Sequence, residues 1–255
     1  MIGRFGKGFA RLSRTDPLFF PHPTAKSGRM GFFSKKTGAT SPVRRQFGES
    51  VTRQLAANPA ITRSNVDGAH IYRHPDFLDA ATCAKFVEMI DANRRRSTVL
   101  ADDAVQAFRT SESCDMDRWS PDVRPTDEAI AALLGIDPVH GETMQGQRYA
   151  VGQHFRAHND YFNEAQPYWP KMIESGGQRT WTAMIYLNDV DEGGATWFPL
   201  VGVRIAPKRG LLIAWNNMRA DGSPNPDTLH EGMPVTSGTK YIITKWFREG
   251  NWIRS

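Results

Sequence analysis

TWTAMIYLN (180–188) is a short run of aromatic, β-branched and aliphatic residues that closes on Asn, a length and composition suited to a strand. Outward from it the pattern repeats. MQGQRYAV (144–151), TWFPL (196–200), VRIAP (203–207), LLIAWN (211–216), GMPVT (232–236) and KYIITKWF (240–247) are separated by Gly, Pro, Asn and Asp. Short strands with turn signals between them predict an antiparallel sandwich or barrel. Upstream, FLDAATCAKFVEMIDAN (77–93) has apolar residues at helical spacing, with Asp79 placed to cap its start. PTDEAIAALLGI (125–136) reads as a second helix that stops near Gly135. The expected fold is mainly β with flanking helices, an α+β arrangement with helical support over 77–136 and a strand core over 144–252.

The net charge of +5 divides unevenly along the chain. Residues 1–55 carry eleven Lys and Arg against Asp16 and Glu49, a net of +9, which leaves the other 200 residues at −4. A folded core that binds nucleic acid through a basic face is therefore not expected. The first 55 residues, rich in Gly, Ser, Thr and Pro and without sustained periodicity, read as a disordered basic arm, and residues 56–255 as the folded domain. MIGRFGKGFARLSR (1–14) reads first as a solvated tail and second as an amphipathic targeting or membrane-surface segment. No apolar run is long enough to span a bilayer. Two cysteines, Cys83 and Cys114, are too few for a disulfide framework or a cysteine metal cluster, so a reducing, cytoplasmic setting is expected. A bound metal would need His and carboxylate ligands.

HFRAHNDYF (154–162) supplies such residues. Read as a strand, it places His154, Arg156, His158 and Asp160 on one face. An H-x-D pair alone is weak evidence, and a polar strand face is the simpler explanation of it. A site of two imidazoles and one carboxylate needs a distant second histidine, and His230, in TLHEGMPV, is the natural candidate within the strand-rich region. Lys240 opens KYIITKWF and shares a face with Ile242, Thr244 and Trp246. It is either the solvated start of the strand or an inward cation that needs an anion. With H-x-D and a distal His, it suggests a receptor for a carboxylate-bearing cosubstrate.

RTSES (109–113), GETMQGQRYAVGQHFRAHNDYF (141–162), GGQRTWTAMIYLNDVDEGGATWFP (176–199) and TLHEGMPVTSGTKYIITKWFRE (228–249) together resemble the prolyl 4-hydroxylase-like branch of the 2-oxoglutarate- and iron(II)-dependent dioxygenases. The resemblance runs from about Ile61 to Trp252 and implies a double-stranded β-helix, the jelly roll also seen in cupins. It implies His158, Asp160 and His230 as catalytic iron ligands and Lys240 as the residue that binds the distal carboxylate of 2-oxoglutarate. It further implies Tyr149 and Thr182 beside that cosubstrate and Trp246 on the substrate side. Tyr161, Phe162 and QPYWPKM (166–172) are expected to supply substrate-binding walls or a cover. His154 has no ligand counterpart and is expected to be structural or at the surface.

The implied cosubstrates are 2-oxoglutarate and O2, with ascorbate as reductant and succinate and CO2 as coproducts. The implied substrate is a peptidyl proline or a related residue, with small molecules still open. Two departures bear on substrate: Phe155 stands where the family often has Tyr, and ESCDMDRW follows RTS in place of a Gly-containing loop. Two rival readings are a cupin-like zinc or manganese enzyme without 2-oxoglutarate and a non-catalytic interaction protein whose basic arm binds RNA or acidic lipid. Lys240 and Tyr149 discriminate against the first, and an intact triad against the second.

Overall fold

The structure is a computed structural model that describes residues 38–97 and 108–252. Its helices are α1 (Pro42–Ala56), α2 (Ala80–Asn93), α3 (Arg124–Leu134) and the short α4 (Trp169–Glu174). The strands are β1 (Thr62–Arg63), β2 (Ile71–His74), β3 (Arg95–Arg96), β4 (Glu112–Met116), β5 (Met144–Tyr149), β6 (Phe155–His158) and β7 (Arg179–Tyr186). They continue with β8 (Glu192–Gly193), β9 (Thr196–Phe198), β10 (Val203–Ile205), β11 (Leu212–Asn216), β12 (His230–Gly232), β13 (Val235–Ser237) and β14 (Lys240–Arg248). A major sheet runs β1-β2-β11-β7-β14-β5-β4-β3, a minor one β10-β9-β12-β6, and β8 pairs with β13. All of these ladders are antiparallel, as the turn-separated runs predict.

Alternation along β14 explains how the major sheet serves two cores. Ile243 and Phe247 join Trp181, Ala183 and the buried faces of α1, α2 and α3 in one cluster. Ile242 faces the other way, into a second cluster with Met184, Tyr186, Phe198, Ile213 and Trp215. Both faces of this sheet are thus covered, which is why β7 and β11 are buried almost along their whole length. The helices end where their chemistry dictates. Asp79 accepts the Thr82 amide at the start of α2 (2.7 Å), and Gly135 closes α3 in the left-handed region at φ 65°.

Two sequence expectations need correction. Residues 42–55 are not part of a disordered arm: they form α1, capped by Ser41 and anchored by buried Val51 and Leu55. Their helical period was masked by Arg, Gln and Ser on the solvent side, and Pro42 is tolerated because it sits in the first turn. Arg44 of this helix is buried and pairs with Glu164 at 2.7 Å and Glu249 at 3.0 Å. The rest of the expected arm, 1–37, lies outside the described residues. The span 77–136 is not purely helical support either, since β3 and β4 extend the major sheet beside β5. Glu112–Met116 escaped notice because acidic and small residues there lack strand propensity, and pairing to β5 overrides that.

Candidate iron and 2-oxoglutarate site

β6 and β12 build the site. His230 and His158 are direct partners across that ladder, so both imidazoles project from one face. The strand stops at His158, and the turn after it, not strand alternation, swings Asp160 beneath the two rings. His158 Nε2 lies 3.7 Å from Asp160 Oδ1, and His230 Nε2 lies 3.9 Å from Asp160 Oδ2. One ligand atom from each of the three falls within 4.8 Å of the others.

The surroundings suit a metal. His158 Nδ1 lies 2.8 Å from the Arg156 carbonyl and His230 Nδ1 lies 3.0 Å from the Thr228 carbonyl. A carbonyl can only accept, so each Nδ1 is the protonated nitrogen and each Nε2 presents its lone pair to the shared space. Burial, reinforced by the neighbouring His230, lowers the His158 pKa to about 3, so the ring is neutral as a metal ligand must be. Burial pushes the Asp160 carboxyl up, but the two imidazoles, Arg179 and the Thr182 hydroxyl outweigh it and hold the group below its usual range. Phe155 stacks on His158 with centroids 3.6 Å apart, and Trp215 meets His230 edge-on at 4.8 Å. These contacts leave each ring little freedom to turn.

Two cavities meet at the triad. The inner one, between the sheets, is lined by His158, Asp160 and His230 at one end and by Tyr149, Thr244 and Lys240 further in. Lys240 pairs with Tyr149 across β14 and β5. Its side chain is 1% exposed, and burial alone draws its pKa down to about 7. Among the described residues no carboxylate meets the ammonium, which lies 4.9 Å from the Tyr149 ring centroid and 5.5 Å from that of Tyr186. A buried ammonium with no carboxylate beside it has room to receive an anion that comes from outside. Tyr149 lines the same cavity, and its hydroxyl donates to Gln147 Oε1 at 2.7 Å.

The outer cavity, about 810 Å3, opens on the other side of His158 and Asp160. Tyr161, Phe162, Tyr168 and Trp252 wall it, and Trp246 borders both cavities.

With this geometry the comparisons are unambiguous. The family model described as the 2OG-Fe(II) oxygenase superfamily matches residues 144–248. "Probable prolyl 4-hydroxylase 8" of Arabidopsis thaliana is 31% identical over 204 residues, covering 70% of this chain and 68% of the relative. The chain belongs to the 2OG-Fe(II) oxygenase superfamily. Within it, the "Prolyl 4-hydroxylase subunit alpha-3" of Homo sapiens is 32% identical over 71% of this chain, which spans about a third (34%) of that subunit. Among solved structures, the 2OG complex of the viral collagen prolyl hydroxylase vCPH from Paramecium Bursaria Chlorella virus-1 superposes with a TM-score of 0.55 at 27% identity. That match covers 72% of this chain and 99% of vCPH. The fold is accordingly the jelly roll of these oxygenases, and the enzyme is a 2-oxoglutarate-dependent dioxygenase using iron(II) and O2.

One expected role in the oxygenase changes. Thr182 does not face the cosubstrate's end of the inner cavity: its hydroxyl donates to Asp160 Oδ2 at 2.7 Å and accepts from Asn217 Nδ2 at 2.9 Å. It orients the carboxylate ligand from behind, because position 182 on β7 lies opposite Trp246 and Trp215 and not beside Lys240. His154 stands outside the triad, with its backbone tied to Thr110. Sequence reasoning missed Arg179, whose guanidinium stacks 4.3 Å from the Trp246 ring centroid while gripping Glu142 at 2.6 and 2.7 Å. An Arg at the head of a strand looks solvated in sequence, and only the fold brings Glu142 and Arg248 to it.

Proposed function

We propose that this oxygenase hydroxylates a carbon of a peptidyl proline, or of a closely related residue, held in the outer cavity. The observation that carries the reading is Lys240, a buried cation without an anion, set in a cavity whose other end is the His158, Asp160 and His230 triad. In this reading the triad holds iron(II), and Lys240 and Tyr149 take the distal carboxylate of 2-oxoglutarate. The bound iron, O2 and 2-oxoglutarate supply the oxidant, with succinate and CO2 as coproducts. The protein's own part is positional. The backbone carbonyls behind His158 and His230 fix both lone pairs, Thr182 holds one carboxylate oxygen of Asp160, and Phe155, Trp215 and Trp246 keep water from the reacting centre.

The outer cavity supports a peptide substrate. Its aromatic walls offer flat apolar faces of the kind that receive extended proline-containing chains, whose conformation is already restricted before binding. A metal-only enzyme would leave Lys240 buried without purpose. Ascorbate as reductant follows from the same chemistry, and the two free, buried cysteines support a reducing, cytoplasmic setting. The test is a panel of proline-containing peptides incubated with the full chain, iron(II), 2-oxoglutarate and O2, with products mapped by tandem mass spectrometry. A product one oxygen heavier at proline supports the proposal. Oxygen added only at other residues, or to a small molecule, replaces proline as the substrate.

A further inference from the structure

We propose that a second cavity, on the jelly-roll edge away from β6, binds a small polyanion carrying phosphate groups. It is lined by Arg63, Arg73 and Arg204 together with Ser64 and Asn65, holds about 400 Å3, and has no acidic residue in its lining among the described residues. None of the three arginines has a carboxylate within ion-pair distance among the described residues. Arg44, Arg118, Arg148, Arg179 and Arg248 of the same molecule are each paired with an acid.

Sheet edges often carry basic residues that block pairing with another chain, and this explains Arg63 on β1 and Arg204 on β10, both edge strands. It does not explain Arg73. β2 is an interior strand between β1 and β11, and Arg73 lies opposite Ile213, on the face that carries the inner core. Its Nε is buried without a hydrogen-bond partner among the described residues, and so is Ser64 Oγ in the same lining. Buried donors of this kind call for an acceptor, and a guanidinium fork suits the paired oxygens of a phosphate. The room exceeds what one phosphate fills and lies within the range for small-ligand sites, about 300–1,000 Å3. In the minor sheet, β10 stands two strands from β12, a lateral offset of roughly 10 Å from the iron ligand His230.

Pyrophosphate is the probe, titrated calorimetrically into the iron-free full chain because it would chelate iron, with citrate as the carboxylate comparison. Saturable binding of pyrophosphate is expected, weaker for citrate, and at least tenfold weaker in Arg73→Gln. Arg204→Gln and Arg63→Gln, both at exposed positions, are expected to weaken it severalfold and keep the inference testable should Arg73→Gln not fold. Succinate production from 2-oxoglutarate should be unchanged in Arg204→Gln, which separates this site from the catalytic one. No binding at millimolar pyrophosphate overturns the proposal. So does binding that survives all three substitutions, which would place the anion elsewhere, as on the basic residues before Gly38. Tighter binding of citrate than of pyrophosphate overturns the phosphate assignment.

Discussion

Replacing Lys240 with Met should make the ligand-free protein more stable while crippling its use of 2-oxoglutarate. The ammonium is buried with no anion among the described residues, and its pKa falls from 10.5 to about 7. At ~1.4 kcal/mol for each factor of ten, that corresponds to a burial cost of about 4–5 kcal/mol. The cost is full below pH 7, where the charged form must be kept inside, fades between pH 7 and 10.5, and vanishes above that, where the unfolded chain is neutral too. Met fills a similar volume without charge, so thermal unfolding at pH 6.5 should shift upward by about 2–4 °C for each kcal/mol recovered. A cosubstrate carboxylate paired with the ammonium is worth about 2–5 kcal/mol, so the dissociation constant for 2-oxoglutarate should rise roughly thirtyfold or more. In the wild type, affinity should also fall about tenfold to thirtyfold between pH 7 and 8.5, because binding must then restore the proton on Lys240. The assay is anaerobic calorimetric titration of 2-oxoglutarate into manganese-loaded protein at both pH values, beside melting curves. Unchanged affinity in Lys240→Met, or wild-type affinity that is flat from pH 7 to 8.5, would refute this reasoning.

Alanine at His158, Asp160 or His230 should abolish tight metal binding in a metal titration, whereas His154→Ala should retain it, since it stands outside the triad. Thr182→Val removes the donor to Asp160 Oδ2 and should weaken metal affinity by about 10–100-fold, with any loss in 2-oxoglutarate affinity following the metal. A chain beginning at Ala56 should be destabilised or fail to fold, because Val51 and Leu55 are each fully buried, worth about 1.5–3 kcal/mol apiece. A chain beginning at Gly38 should keep its melting temperature and its 2-oxoglutarate turnover.

The strand core and the H-x-D spacing could be read from the sequence because those features are local. Strands such as TWTAMIYLN are bounded by turn residues, and H-x-D needs only two positions of spacing. Alternation alone left Lys240 open between a solvated strand start and an inward cation; it lines one cavity with Ile242 and Thr244. What could not be read depends on non-local pairing. Lys245 looks like an ordinary charge on the opposite face of β14, yet it is fully buried against Asp127 of α3, a partner 118 positions away. Thr182 was placed beside the cosubstrate because sequence names a neighbour and not the side from which it approaches. α1 was hidden by its polar face, and its buried Arg44 reads as part of a basic tail until Glu164 and Glu249 are brought to it.

The most direct test of the account is succinate formation from 2-oxoglutarate by the full chain with iron(II) under air, compared with His230→Ala at the same protein concentration. The two cavities meeting at one triad predict iron-dependent succinate release in the wild type, stimulated by a proline-containing peptide, and none above background in His230→Ala. Equal succinate release from both proteins, or none from the wild type with iron and peptide present, would contradict it.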